Sequence, residues 1–475
     1  MAELLTPDIC VIGAGSGGLT VAAAAASFGV SVVLVEKGKM GGDCLNYGCV
    51  PSKALLAAGK QAQAMRNGAK FGITPAEPQV NFKAVMAHVK SVIAEIAPND
   101  SVERFTALGV RVIQAEAKFK DKRTVVAGGH EIRARRFVVA TGSSALVPPI
   151  PGLSDVEYLT NETLFEQEKL PAHLIIIGGG PIGMEMAQAH RRLGAEVTVI
   201  EAFAALGKDD PEAGAIVLSA LRSEGINILE NTKVISVEKR GKTGVRVHVE
   251  GPGGPAHVDG AKLLVAAGRA ANVNGLDLEK AGVEFDRRRI KTGPNLRTTN
   301  SRVYAIGDVA GSLQFTHVAG YHAGLVVRAI LFRLPIKENR AIIPWATFTE
   351  PELAHVGLSE ADAKKSGVPF SILRWPFSEN DRAVAEHKNA GLIKIVTSPK
   401  GKILGVTIAG HGAGEMINMW ALALSKGLGV RDIASYVAPY PTMSEAGKRA
   451  AVSHFAPLAR SPHIRKLIGF LRRFG

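Results

Sequence analysis

Three apolar runs of different character open the chain. "DICVI" is short and β-branched, "LTVAAAAASF" is longer and built of small residues, and "VSVVLVE" is β-branched again. Glycines 13, 15 and 18 separate the first run from the second, and Gly29 separates the second from the third. Short β-branched runs bounded by glycine read as buried strands, and the small-residue run reads as a helix packed on them. The same succession returns in "HLIIIGGGPIGMEMAQAHRRLGAEVTVIE", with Gly178, Gly180 and Gly183 in the turn and Gly194 after the helix. Each copy ends on a glutamate, Glu36 or Glu201, 23 positions beyond the first glycine. The pattern predicts two strand–turn–helix–strand units of one design.

The turn in each unit is G-x-G-x-x-G. Glycines there let the backbone bend tightly and approach a pyrophosphate at the helix N-terminus, while the terminal carboxylate accepts from ribose hydroxyls. One such motif is weak; two complete units predict two dinucleotides and an electron relay between them. "EAFAALGKDD" after the second unit has no cation before Lys208. A 2′-phosphate would meet the charge of Glu201 with no arginine beside it, so NAD is expected over NADP. Three further strand-then-glycine pieces are expected to complete the cofactor sites: "FVVATGS" with Thr141 and Gly142, "LLVAAGRA" with Gly268, and "VYAIGDVA" with Gly307 and Asp308. Asp308 stands where a carboxylate can hold a ribityl hydroxyl. Pro-rich "LVPPIPG" reads as a linker. After "LFRLPIKENR" the pattern changes to alternating runs such as "GLIKIVTS" and "KILGVTIAG" among helical stretches, with no third glycine turn. That is an α+β domain without a nucleotide of its own.

Charge adds little. The formal net charge is +14, but no long Lys/Arg block gathers it, and nucleic acid is not an expected partner. Such a field still favours anionic cofactors, substrates or lipid. The uncharged stretch from Ile9 to Val35 is long enough to span a membrane, yet glycines break it. Glu3 and Asp8 stand where a signal peptide would carry positive charge, so a cytoplasmic protein is expected.

Cysteine adds more. Three cysteines cannot staple 475 residues, which points to a reducing compartment. Two of them, Cys44 and Cys49, lie together in "GGDCLNYGCVPSK". A zinc site needs about four N/S ligands, and no CxxC or paired histidines supply the rest, so no metal site is expected. A structural disulfide would close only a tiny loop. A redox pair fed by two dinucleotides is the preferred reading, and the helix-like "SKALLAAGKQAQAM" places it near a helix N-terminus that stabilises thiolate. Cys10, in the first apolar run, is expected to be a packing residue.

Together these motifs resemble the class I pyridine nucleotide–disulfide oxidoreductases, the family of dihydrolipoamide dehydrogenase, glutathione reductase and mercuric reductase. The resemblance implies an α/β fold of two Rossmann-like dinucleotide-binding domains plus a C-terminal α+β dimerisation domain. On this chain they would be residues 1–149 for the first part of an FAD domain, 150–270 for an NAD domain, 271–340 for the return to the FAD and central part, and 341–475 for the interface domain. It further implies FAD on the first unit, NAD(P)H on the second, and a homodimer whose active site borrows residues from the partner's C-terminal domain. The substrate would be a small-molecule or protein-bound disulfide or dithiol. Cys44 matches the interchange thiol and Cys49 the thiol that forms a charge-transfer complex with the flavin. Lys53 and Glu185 match an ion pair near the flavin's reactive edge. His317, in "FTHVAG", matches a segment along the flavin and is read as structural.

One signature departs from the family. Its disulfide reductases carry His-Pro-Thr with a Glu three residues beyond the Thr, the His being acid–base and the Glu orienting it. In "APYPTMSEAGKRAA", Pro441, Thr442 and Glu445 match, but Tyr440 takes the histidine position. A phenol, with a reference pKa of about 10, is a poor base near neutrality. Mercuric reductases also carry Tyr here, although the C-terminal cysteine pair and N-terminal metal-binding domain they use are not found in this sequence. The expected function is therefore an FAD-dependent disulfide/dithiol oxidoreductase of dihydrolipoamide-dehydrogenase type. A metal-ion or other small-acceptor reductase is one alternative. Another is a membrane-docked flavoprotein that passes electrons to a protein partner. In the tail, Ile464, Leu467, Ile468 and Leu471 form a helical apolar stripe flanked by Arg465, Lys466, Arg472 and Arg473. The stripe is expected to pack on its own domain; the competing reading is peripheral contact with an anionic membrane.

Overall fold

The computed structural model describes residues 3–311 and 313–474. The two repeated units become two parallel five-stranded sheets in which four strands share one order, while the outer strand comes last in the chain in the first sheet and first in the second. The first runs Val303–Ala305, Arg136–Val139, Ile9–Ile12, Val32–Glu36, Arg111–Gln114. The second runs Tyr158–Leu159, Lys262–Val265, His173–Ile177, Glu196–Ile200, Asn227–Leu229. Ile9 lies opposite Val32 in one register and His173 opposite Glu196 in the other. Crossover helices Ser16–Ser27 and Pro181–Arg192 cover the sheets. Parallel strands buried on both faces need continuous apolar runs, which is why the strands read as β-branched without alternation. The uncharged opening is thus strand, helix and strand. Among the described residues no helix is long and apolar enough to cross a membrane.

Each unit also carries a small sheet: antiparallel strands of residues 117–132 with Glu3–Leu5 added in parallel at the edge in the first, and antiparallel strands of residues 233–260 in the second. Strand Arg269–Ala271 pairs with Ser143–Ala145, so the chain is back on the first unit by Arg269. The C-terminal domain is an antiparallel sheet ordered Trp345–Thr347, Glu352–Gly357, Ile403–Gly410, Leu392–Thr397, Ser371–Pro376. Helices Ala413–Lys426 and Glu445–Ser453 pack on it around the buried Trp420. Two Rossmann-like domains plus an α+β domain is the fold class the sequence predicts.

Two close approaches position the cysteines. Gly42, at φ +60°, lies against the first glycine turn: a Cβ on it would stand 2.7 Å from Gly15 Cα. Nearby, the Gly41 amide donates to the Ala14 carbonyl at 3.0 Å. Helix Cys49–Arg66 then packs along Pro181–Arg192, with Gly59 against the backbone of Ala189. Leu55, Met184 and Ala187 are fully buried in the core these helices share. Burying a side chain the size of Leu or Met contributes about 1.5–3 kcal/mol, so the cysteine helix is anchored on both repeats.

The tail differs from its expected packing. The helix forms, at Pro462–Leu471, but none of its residues is buried. Leu467, Ile468 and Leu471 are each about half exposed, because the C-terminal domain completes its own core without them.

Candidate active site

Cys49 is the first residue of an 18-residue helix, and Cys44 lies in the short helix Gly42–Asn46 just before it. Both are free thiols. Their mutual interaction holds the Cys44 thiol above the ordinary range and Cys49 below it. Thr316, whose Oγ1 lies 3.4 Å from Cys49 Sγ, and the Lys53 charge lower Cys49 further. Helix N-termini favour a thiolate for the same electrostatic reason. Cys10 is fully buried, and burial alone raises its thiol to about 12.

One turn into the helix, Lys53 Nζ donates to Glu185 Oε2 at 2.7 Å. The other carboxylate oxygen accepts from the Phe348 amide at 2.9 Å, and the ammonium sits 4.5 Å from the Phe348 ring centroid. Lys53 and Glu185, from different repeats, are therefore clamped by the C-terminal domain. His317 makes a 2.7 Å bond from Nε2 to the Pro344 carbonyl, which requires that nitrogen to carry the proton, and burial lowers its pKa. It is a satisfied structural residue.

The glycine turns present two matching cradles. Gly13 and Gly178 have φ of +105° and +118°, and a Cβ on either would strike a carbonyl oxygen of the neighbouring strand-end loop, Ala140 or Ala266. Gly18 and Gly183 close helix onto turn. The N-caps Gly15 and Gly180 leave each helix start without a side-chain cap, and no acidic residue lies in either first turn. Glu36 accepts from the Ala14 amide at 2.6 Å and the Gly38 amide at 2.7 Å. Glu201 accepts from Gly179 at 2.7 Å and Phe203 at 3.0 Å. A carboxylate has about four lone-pair positions, so two remain on each for ribose hydroxyls. Free helix-start amides, room for phosphate and a fixed carboxylate fit two dinucleotides.

Around the first cradle, Thr141 Oγ1 donates to the Asn272 carbonyl at 2.8 Å, and the Asn272 amide donates to the Gly142 carbonyl at 3.0 Å. The Gly307 amide donates to His322 Nδ1 at 3.2 Å. Asp308 Oδ2 accepts from Ser143 Oγ at 2.5 Å, while burial raises its pKa. Arg269, next to Gly268, donates to Ser143 and pairs with Asp43 at 3.1 Å, which joins the Asp308 pocket to the cysteine loop.

Tyr440 and Glu445 lie apart from this group. The Tyr440 hydroxyl donates to Asp381 Oδ2 at 2.8 Å, and this bond raises the phenol pKa above its ordinary value. Glu445 pairs instead with Arg449, one turn along its helix, at 3.1 Å. The Tyr440 hydroxyl thus meets Asp381 and not Glu445. Asn380 fixes the arrangement by donating to the Thr442 carbonyl at 3.0 Å while capping the helix that begins at Asp381. Neither Tyr440 nor Glu445 bonds to Cys44, Cys49, Lys53 or Glu185 in the same chain. Asp381, Thr316 and Arg269 escaped sequence reasoning; Arg269 directly follows a glycine already singled out.

Comparison with known proteins decides the family. The pyridine nucleotide-disulphide oxidoreductase family model matches residues 7–323, and the dimerisation-domain model of the same family matches 343–451. This chain belongs to that family. The oxidoreductase is 36% identical over 449 residues to mercuric reductase of Bacillus cereus, covering 94% of this chain and 71% of that protein. It is 35% identical over 463 residues to dihydrolipoyl dehydrogenase of Thermus scotoductus, covering 94% and 97%. Among solved structures, LpdA from Mycobacterium tuberculosis superposes with a TM-score of 0.86 at 25% identity, covering 94% of this chain and 99% of that one. A Cu(II) complex of the flavoprotein disulfide reductase RclA from Escherichia coli gives 0.82 at 27% identity, covering 92% and 98%. The oxidoreductase is thus an FAD-dependent, NAD(P)H-linked enzyme of the disulfide-reductase class, and its C-terminal domain is the family's dimerisation domain.

Proposed function

We propose that this oxidoreductase uses NADH to reduce a small soft electrophile, first of all a thiophilic metal ion, through the Cys44–Cys49 pair. The observation that carries the reading is the hydrogen bond from Tyr440 to Asp381. A thiol substrate must lose a proton as it reacts, and a positioned base contributes about 10²–10⁴-fold. The Tyr440 phenol already holds its proton, and Asp381 disfavours the phenolate that could accept one. With its O–H turned to Asp381, the oxygen offers only lone pairs, which suit a cation. Metal binding by thiol displaces the proton to water without a base.

FAD, when bound, supplies two-electron transfer between reduced nicotinamide and the thiol pair. Gly13, Gly15, Gly18, Glu36, Thr141, Gly142, Gly307 and Asp308 would hold it; Gly178, Gly180, Gly183, Glu201 and Gly268 would hold the nicotinamide dinucleotide. Lys53, fixed by Glu185, would place a positive charge beside the flavin's reactive edge. Cys49 keeps a stabilised thiolate, and Cys44 keeps the proton until the acceptor arrives. For Hg²⁺ the balance is NADH plus Hg²⁺ giving NAD⁺, H⁺ and Hg⁰; for Cu²⁺ it is NADH plus two Cu²⁺ giving NAD⁺, H⁺ and two Cu⁺. A second subunit would bring its Tyr440 to this chain's Cys44, which makes the working form a homodimer in the cytoplasm. The positively charged tail contributes no group to this chemistry and is a candidate for contact with an anionic membrane.

Disulfide reduction is the second reading, favoured by the two adjacent thiols and by the relatives named dihydrolipoyl dehydrogenase and disulfide reductase. The test is NADH oxidation at pH 7 with Hg²⁺, Cu²⁺ or lipoamide, alongside NADH formation from dihydrolipoamide plus NAD⁺. At least one metal should exceed lipoamide in kcat/KM by about tenfold, and Cys44→Ser should abolish turnover with both. Lipoamide as the better acceptor would reject the metal reading.

A further inference from the structure

Every residue of the tail from Ala456 to Phe474 is exposed or only partly buried, although fifteen of these residues form helices Ala456–Arg460 and Pro462–Leu471, joined at Ser461. The segment lies beyond residue 451, where the match to the dimerisation domain ends. On the longer helix Leu467, Ile468, Phe470 and Leu471 stand 51–55% exposed, and Phe474 stacks edge-on against Phe470 at 5.1 Å. An ordinary surface helix turns such a face inward. This one is amphipathic with its apolar face uncovered.

Charge identifies what covers it. Arg460, Arg465, Lys466, Arg472 and Arg473 lie in this segment, and no Asp or Glu follows Glu445. None of these cations forms an ion pair among the described residues; Arg465 donates only to the Ala459 carbonyl. At 100° per residue, Arg465 and Arg472 fall together on one flank of the stripe, where long side chains reach headgroups while their stems cover apolar surface. A second copy of the tail would oppose like charges, and the rest of the chain is itself net positive. An anionic surface complements both features. We infer that helix Pro462–Leu471 lies in the interface of an anionic lipid bilayer and holds the dimer there, with the apolar stripe at the acyl boundary and the arginines on the headgroups.

The test is flotation of the FAD-loaded full-length enzyme with vesicles of phosphatidylcholine alone or with about 30% phosphatidylglycerol, alongside light scattering for oligomeric state. The enzyme should float with the anionic vesicles at about 50 mM salt and be released at about 500 mM, where the Debye length falls from about 14 Å to about 4 Å. Leu467→Glu with Ile468→Glu, and deletion of 461–475, should each abolish flotation while NADH-dependent turnover and dimer mass stay unchanged. Arg465→Gln with Arg472→Gln should lower the salt concentration needed for release. Equal flotation with neutral vesicles, no flotation at low salt, or a monomer on tail deletion would overturn the inference; the last outcome would assign the stripe to the partner subunit.

Discussion

The two glycine turns are alike for five residues longer than their motif and then part company. Beyond Glu36 the chain returns so that the Gly41 amide donates to Ala14; beyond Glu201 it returns so that the Leu206 amide donates to Gly179. Both residues have positive φ, +85° and +52°. After that, the first copy lays Gly42 on Gly15 and runs into the cysteines. The second leads through Lys208 to Asp210, which caps the next helix, and a Cβ on Gly180 would meet nothing within 4 Å. One holder therefore serves two purposes. A turn covered by its own chain suits a cofactor that stays, and an open turn suits one that exchanges.

The sharpest way to break this comparison is to add a methyl group to each turn. Gly42→Ala meets Gly15 and must adopt a left-handed conformation costing roughly 1–2 kcal/mol before any clash. The purified variant should lose most of its flavin, read as 450 nm absorbance per chain. Gly180→Ala should keep the flavin and raise KM for NADH by about tenfold, equivalent to about 1.4 kcal/mol of lost binding. Flavin loss in both variants, or in neither, would remove the distinction between covered and open turn.

A smaller effect is expected at the second carboxylate. Glu201→Ala removes an acceptor from the ribose and a negative charge from the 2′ position, so the kcat/KM preference for NADH over NADPH should narrow by about five- to tenfold. A preference for NADPH in the unmodified enzyme would reverse the cofactor assignment. Smaller again is the change at Thr316. The reduced enzyme should show long-wavelength absorbance from a Cys49 thiolate beside oxidised flavin after one equivalent of dithionite. Because the Cys49 pKa is lowered, this signal is present above that pKa and lost as pH falls through it. Thr316→Val removes one stabilising hydrogen bond, so the loss should begin at higher pH, by about 0.5 unit. Cys49→Ser should lack the band altogether.

The sequence made the repeats legible because their information is local: strand, turn, helix and glutamate lie within 23 positions and repeat with one spacing. The cysteine pair was legible for the same reason. Asp381 was not, because it meets Tyr440 from 59 positions away, with two strands and two helices between them. Thr316 lies 267 positions from Cys49, and Arg269 joins Asp43 and Ser143 only after the chain has returned from the second repeat. The tail helix was legible as a helix, whereas its exposure was not, since an apolar stripe reads alike whether it is covered or bare.

On the proposed reading the Tyr440–Asp381 contact leaves the thiol site without a base, which a pH–rate profile tests directly. Dihydrolipoamide oxidation by NAD⁺ should be weak at pH 7 in the unmodified enzyme and rise toward the thiol's own ionisation near pH 8.5, the reference value for a free thiol. Tyr440→His should raise turnover at pH 7 by about tenfold or more and flatten the profile, as a general base does. Turnover by the unmodified enzyme at pH 7 equal to that of Tyr440→His would mean that another residue takes the proton, and the account of the site would be wrong.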